Sequence, residues 1–112
     1  MTDDLSDEDR KLVVLARGAL ARAEAASGAA VRDDDGRTYA GADVVTATLT
    51  LSALQVAIAT ALSSGARGFE AAVVVNGRAD DPGLPTFADV SPDAYVYLTD
   101  TAGTPTSRVG QA

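Results

Sequence analysis

At 112 residues, 46% of them hydrophobic and only 4% aromatic, the chain has the size of one domain and no room for a second core. Sixteen acidic against nine basic side chains give a net charge of −7, which argues against a nucleic-acid backbone or an anionic membrane surface as partner. With no cysteine, no histidine and a single lysine, Lys11, the chain has no route to disulfides, thiolate nucleophiles, a Ser–His–Asp triad, Schiff-base chemistry or imidazole- and thiolate-built zinc, copper and iron sites.

The first residues, Met1 to Arg10, are acidic where a secretory leader is basic, so no signal peptide is expected and the compartment is read as cytoplasmic. A helix then starts at Ser6, an N-cap with Asp9 three residues on, and Asp7, Glu8 and Asp9 load its positive end. Leu12, Leu15, Ala16, Ala19, Leu20 and Ala23 form its apolar stripe. Ala29 to Arg32 reads as a short strand, turned at Asp33-Asp34-Asp35-Gly36 into a second strand running from Arg37 toward Val45. Three adjacent aspartates could suggest calcium, but they lack the alternating spacing and distant glutamate of a calcium loop. Ordinary turn chemistry explains them.

Val44 to Ala66 carries no charge over 23 residues, long enough on paper to span a bilayer. Its texture argues otherwise. Val45, Ala47, Leu49 and Leu51 alternate with Thr46, Thr48 and Thr50 at a strand period, and Ser52 then opens a helix ended by Gly65. Ser52 and Gln55 have capping-box spacing. Leu54, Val56, Ala57, Ile58, Ala61 and Leu62 surround most of that helix, which predicts burial against a sheet on one side and another layer or subunit on the other. Phe69 to Val75 reads as a central strand buried on both faces. Asn76 to Asp93, with three prolines and two glycines, reads as a long irregular segment. Tyr95 to Thr99 is a last strand, and the domain is taken as residues 1–104 with a polar tail over 105–112.

The run Gly36-Arg37-Thr38-Tyr39-Ala40-Gly41-Ala42-Asp43-Val44, followed by Thr50-Leu51-Ser52-Ala53-Leu54-Gln55-Val56-Ala57-Ile58, resembles the zinc-dependent cytidine deaminases. That family reads G-x-x-Y-x-G-x-N-[VI]-E-N-A there, then T-[IL]-C-A-E-R-x-A-[LI]. Gly28-Ala29-Ala30, Ala61-Leu62-Ser63-Ser64-Gly65, Phe69 and the Ala72 to Val75 strand extend the likeness. The resemblance implies a three-layer α/β/α fold with a mixed sheet of four to five strands, shortened after the central strand.

The departures carry the functional reading. Ser52 stands where the family has a zinc-binding cysteine, and Leu54 where it has the glutamate that shuttles the proton. Asp43 and Val45 align with the asparagine and glutamate that hold the ribose hydroxyl. The family's remaining zinc ligands lie in a P-C-x-x-C motif after the central strand, which this chain cannot supply. Two residues are also missing between Asp43 and Ser52, and the segment from Val75 to Tyr95 reads as too short for that turn plus a full third helix. Val90-Ser91-Pro92 resembles the V-S-P before the first of those cysteines, but Asp93 follows it.

Ser52 is read as an N-cap rather than a nucleophile, because no histidine or nearby lysine is available to activate it. Asp43 is read as a strand-end acid rather than a residual ligand contact. Asp80, Asp81, Asp89 and Asp93 are read as a solvated acidic loop rather than magnesium ligands. Asp43, Val45, Ser52 and Leu54 are thus degenerate site positions, with no catalytic residue, cofactor or metal expected. Three functions remain: a non-catalytic relative acting through a protein–protein surface, an enzyme of altered mechanism, and a small-ligand module using the old nucleoside cleft. Filling of that cleft by Leu54 and Val45 is expected to disfavour the third. The alanine-rich central helix predicts a homo-oligomer, dimer or tetramer, with room for an unidentified protein partner and none for nucleic acid or membrane.

Overall fold

Ser6 opens the first helix, α1 (Asp7–Ala23), its Oγ accepting a hydrogen bond from Asp9 N at 3.1 Å. The computed structural model describes residues 5–110; Met1 to Asp4 and the last two positions of the sequence-defined tail, 111–112, lie outside them. After α1 come β1 (Gly28–Asp33), β2 (Thr38–Ala42), β3 (Val44–Val45), β4 (Thr50–Leu51), α2 (Ala53–Ser63), β5 (Phe69–Val75), α3 (Gly83–Val90), β6 (Tyr95–Thr99) and β7 (Pro105–Gly110). Among the described residues no helix is long and apolar enough to cross a membrane.

Five strands form a mixed sheet in the order β2-β1-β5-β6-β7, with β5 and β6 parallel and the other neighbours antiparallel. Alternation along β5 explains its uninterrupted apolar sequence. Ala71, Val73 and Val75 face α1, where they pack with Leu12, Ala16 and Ala30. Ala72 and Val74 face the opposite way, into a cluster with Leu54, Ala57, Ile58 and Phe87 from α2 and α3. The result is the three-layer α/β/α arrangement. Gly28 permits the tight seat of α1, because a Cβ there would collide with the carbonyl oxygen of Ala16.

The three aspartates after β1 do turn chemistry. Asp33 Oδ1 accepts from Asp35 N and Arg37 N, both at 2.9 Å, and Oδ2 accepts from Tyr39 Oη at 3.0 Å. Burial pushes the Asp33 carboxyl up, but those donors outweigh it and hold the group below the usual range.

A second polar network was not legible in the sequence. Asp9, only 3% exposed, accepts from Arg32 Nη1 at 3.0 Å and from Tyr95 Oη at 2.8 Å, and Arg32 Nε bonds Glu70 at 2.7 Å. The first turn of α1 is thereby tied to β1, β5 and β6. Asp9 does more than complement a helix dipole.

Three sequence expectations are corrected. The alternating 45–51 segment is not one long strand but the two-stranded β3–β4 hairpin, because Thr46 turns the chain. Its Oγ1 accepts from Leu49 N at 2.9 Å and Thr48 N at 3.3 Å, so the hydroxyl competes with strand pairing. The 76–93 segment is not wholly irregular but contains α3, with Pro85 in the first turn where a missing N–H costs nothing. Leu84 and Phe87 are buried, and the Phe87 ring stacks on Phe69 at 5.0 Å between centroids. The 105–110 part of the polar tail is a strand, β7, paired antiparallel with β6. Its residues are mostly exposed, so backbone pairing rather than burial orders them.

Candidate functional site

The sequence-nominated positions converge at the N-terminal end of α2. Ser52 is the cap, its Oγ accepting from Gln55 N at 3.1 Å while the Gln55 side chain accepts from Ser52 N at 2.9 Å. The capping box read from the spacing is therefore present. Asp43, just past β2, brings its Oδ1 within 3.0 Å of Ala53 N, a second acceptor for the free N–H groups of that helix end. Asp43 is thus a helix-capping acid, not a simple strand-end acid.

The residue that sequence reasoning missed is Asp81. It sits on the segment linking β5 to α3 and is 9% exposed, so the solvated-loop reading fails for it, whereas Asp80, Asp89 and Asp93 are exposed. Its Oδ1 accepts from Ser52 Oγ and from Gly83 N, both at 2.7 Å. The amino ends of α2 and α3 thus meet at one carboxylate oxygen. The available signal was Asp81-Pro82-Gly83, an acid followed by a residue suited to a first helical turn.

Leu54 lies beneath this junction and is fully buried. A Cβ on Gly83 would come within 2.9 Å of Leu54 Cγ, so only glycine lets α3 start this close. Val45 is 76% exposed on β3. Above the junction is a cleft of about 360 Å³, lined by Asp43, Val45, Ser52 and Gln55 on one side and by Asn76, Arg78, Asp80 and Asp81 on the other. The expectation that Leu54 and Val45 fill the cleft is corrected: Leu54 is buried in the core and does not line it, and the exposed Val45 is part of its lining.

Asn76, at the end of β5, adopts a left-handed backbone with φ 59°, a conformation asparagine tolerates. Its side chain donates to Ala26 O at 2.9 Å and accepts from Thr101 Oγ1 at 2.7 Å. Arg78 grips Asp80 with two hydrogen bonds of 2.9 and 3.2 Å, which hold the Asp80 carboxyl below and the guanidinium above their ordinary values. Ser91 sits at the other end of α3, its Oγ accepting from the buried Phe69 N at 2.7 Å, so the Val90-Ser91-Pro92 likeness marks no part of this site.

The donor set does not fit zinc. At the junction stand one hydroxyl already used as donor and acceptor, the Asp81 and Asp43 carboxylates, each with one oxygen already accepting from a helix-end N–H, and the hydrocarbon of Leu54, with no thiolate or imidazole among them. Among the described residues no three carboxylates cluster in a way that could hold a metal ion.

A family model described as cytidine deaminase-like matches residues 5–103. Among solved structures, a cytidine deaminase from Burkholderia pseudomallei superposes with a TM-score of 0.75 at 25% identity, covering 95% of this chain and 93% of that one. A cytidine deaminase from Mycobacterium leprae shares the fold with a TM-score of 0.67 at 23% identity, covering 84% and 89% of the two chains. One from Mycobacterium tuberculosis gives 0.69 at 20% identity, covering 83% and 85%. No curated protein sequence matches this chain at a significant level.

Proposed function

The chain belongs to the cytidine deaminase-like family, and from that membership we propose that it is a non-catalytic member which acts through its fold and a protein–protein surface. The observation that carries this reading is the buried Leu54 at the position of the proton-shuttling glutamate, beneath a Ser52 locked between Gln55 and Asp81. A leucine moves no proton, and Ser52 Oγ, held between Gln55 N and the Asp81 carboxylate, has no histidine or lysine beside it to activate it. Loss of ligands, general acid and ribose contacts together is what a chain released from catalysis would accumulate.

Purified protein is expected to contain no stoichiometric zinc and to leave cytidine unchanged. Elemental analysis and a cytidine-to-uridine assay against heat-killed protein check both. Stoichiometric zinc or real turnover would refute the reading.

A second reading, a nucleoside or other small-ligand module, is favoured by the cleft of about 360 Å³, whose largely apolar surface carries polar groups from Asp43, Ser52, Asn76 and Asp81. Thermal melting with saturating cytidine or uridine separates the two. A ligand at about 100 times its Kd adds about 2.7 kcal/mol, an unmistakable rise in midpoint, whereas the first reading expects none.

We propose further that the chain is a homodimer or larger. Ala57 and Ala61, part of the helix surface from which the sequence suggested an interface, are fully buried within the protomer. The outward surface of α2 offers Ala59 and Leu62 instead, Leu62 being 39% exposed, with Val45 and Leu49 exposed on the β3–β4 hairpin. Light scattering after size exclusion is expected to give at least twice the chain mass, falling toward one chain in Leu62→Glu combined with Ala59→Glu. A wild-type mass of one chain would overturn the assembly.

A further inference from the structure

We infer that Asp81 and Ser52 form a metal-independent clasp, in which side-chain hydrogen bonds join the amino ends of α2 and α3. This rests on the zinc-free reading given above. Each helix end presents unsatisfied N–H groups and a partial positive charge, so two such ends brought together repel unless negative charge lies between them. The chain supplies that charge from its own residues. Asp81 Oδ1, almost out of solvent, takes one hydrogen bond from the first residue of α3 and one from the cap of α2. Asp43 adds a second carboxylate on Ala53 N.

Asp81 and Leu84 stand three residues apart, one contributing a carboxylate at the junction and the other a buried hydrocarbon packed in the same core cluster as Leu54. Gly83 between them leaves the space that Leu54 occupies. Charge is met above by Asp81 and Asp43, and volume is filled below by Leu54 and Leu84. A cation between Ser52 and Asp81 would have to break the 2.7 Å hydrogen bond that joins them.

A double-mutant cycle on the full chain tests the clasp: Ser52→Ala, Asp81→Ala and both together, melted with and without excess chelator, with zinc content measured alongside. Each single substitution is expected to lower the midpoint by about 5 °C or more, and the double by little more than the worse single. If Asp81→Ala does not fold, the cycle is run with Asp81→Asn. Wild-type melting is expected to ignore the chelator. Additive losses in zinc-free protein would overturn the clasp alone. Stoichiometric zinc with a chelator-induced fall would overturn both the clasp and the zinc-free reading beneath it.

Discussion

Leu54→Glu is expected to restore no deamination and to lower the melting midpoint by more than 10 °C. The side chain is wholly buried, with α3 starting against it at Gly83 and the sheet on its other side. An ionised carboxylate placed there without a counter-charge costs on the order of several kcal/mol, and about 1 kcal/mol moves the midpoint of a domain this size by several degrees. Protonation offers partial escape, so the folded-state pKa of the new glutamate is raised. A raised value means the variant loses stability as pH climbs above the unfolded glutamate value of about 4.3, and approaches wild type below it. Melting from pH 4 to 8 reads this out. A variant that melts like wild type throughout would place Leu54 outside the core.

Arg32→Met is the second large loss. It leaves the buried Asp9 with Tyr95 as its remaining side-chain donor and removes the bond to Glu70. Breaking one partner of such a pair costs about 3–5 kcal/mol, because the other charge stays behind in a poor solvent. Arg32→Met combined with Asp9→Leu should recover much of that loss, since both charges then leave together. The same network shapes the alkaline limb. Burial, reinforced by donation to Asp9, pushes the Tyr95 hydroxyl above its ordinary value of 10.0. A raised folded-state value contributes stability that is complete below pH 10 and lost as pH rises through it. Urea unfolding from pH 7 to 11 should show this fall, and Tyr95→Phe should flatten it. An unchanged limb in Tyr95→Phe would assign the alkaline loss to other groups.

What the sequence displayed was periodicity. The stripe of α1, the apolar run of β5 and the cap spacing of Ser52 and Gln55 all repeat at distances that a single strand or helix imposes by itself. Those elements were readable because their cause is local. Thr46 shows where local reading fails: alternating threonines fit a strand, yet one hydroxyl bonding two backbone amides makes a turn. The helix α3 was hidden by Pro82 and Pro85, which break helices in their interiors but are harmless in a first turn. The site divides the same way. Asp43, Ser52 and Leu54 were found through collinear likeness, whereas Asp81 lies 29 residues beyond Ser52 and meets it only because β5 and α3 carry the chain back. Asp9 and Tyr95 are 86 residues apart, and no spacing announces a bond between them.

The outer strand β7 has a bearing on how copies of this chain can meet. An open sheet ends in a row of free N–H and C=O groups that invites further strands and, with them, uncontrolled fibre growth. Here that border is a poor template. Pro105 opens it with no N–H to offer, the register slips between Leu98 and Thr99, Gly110 adopts a left-handed φ of 102°, and Arg108 leans back over the Tyr95 ring at 4.1 Å. Strand-by-strand stacking through β7 is therefore blunted at its first step. If copies associate as proposed, through side-chain surfaces such as the outside of α2, a twofold axis would close the contact after two copies and stop growth.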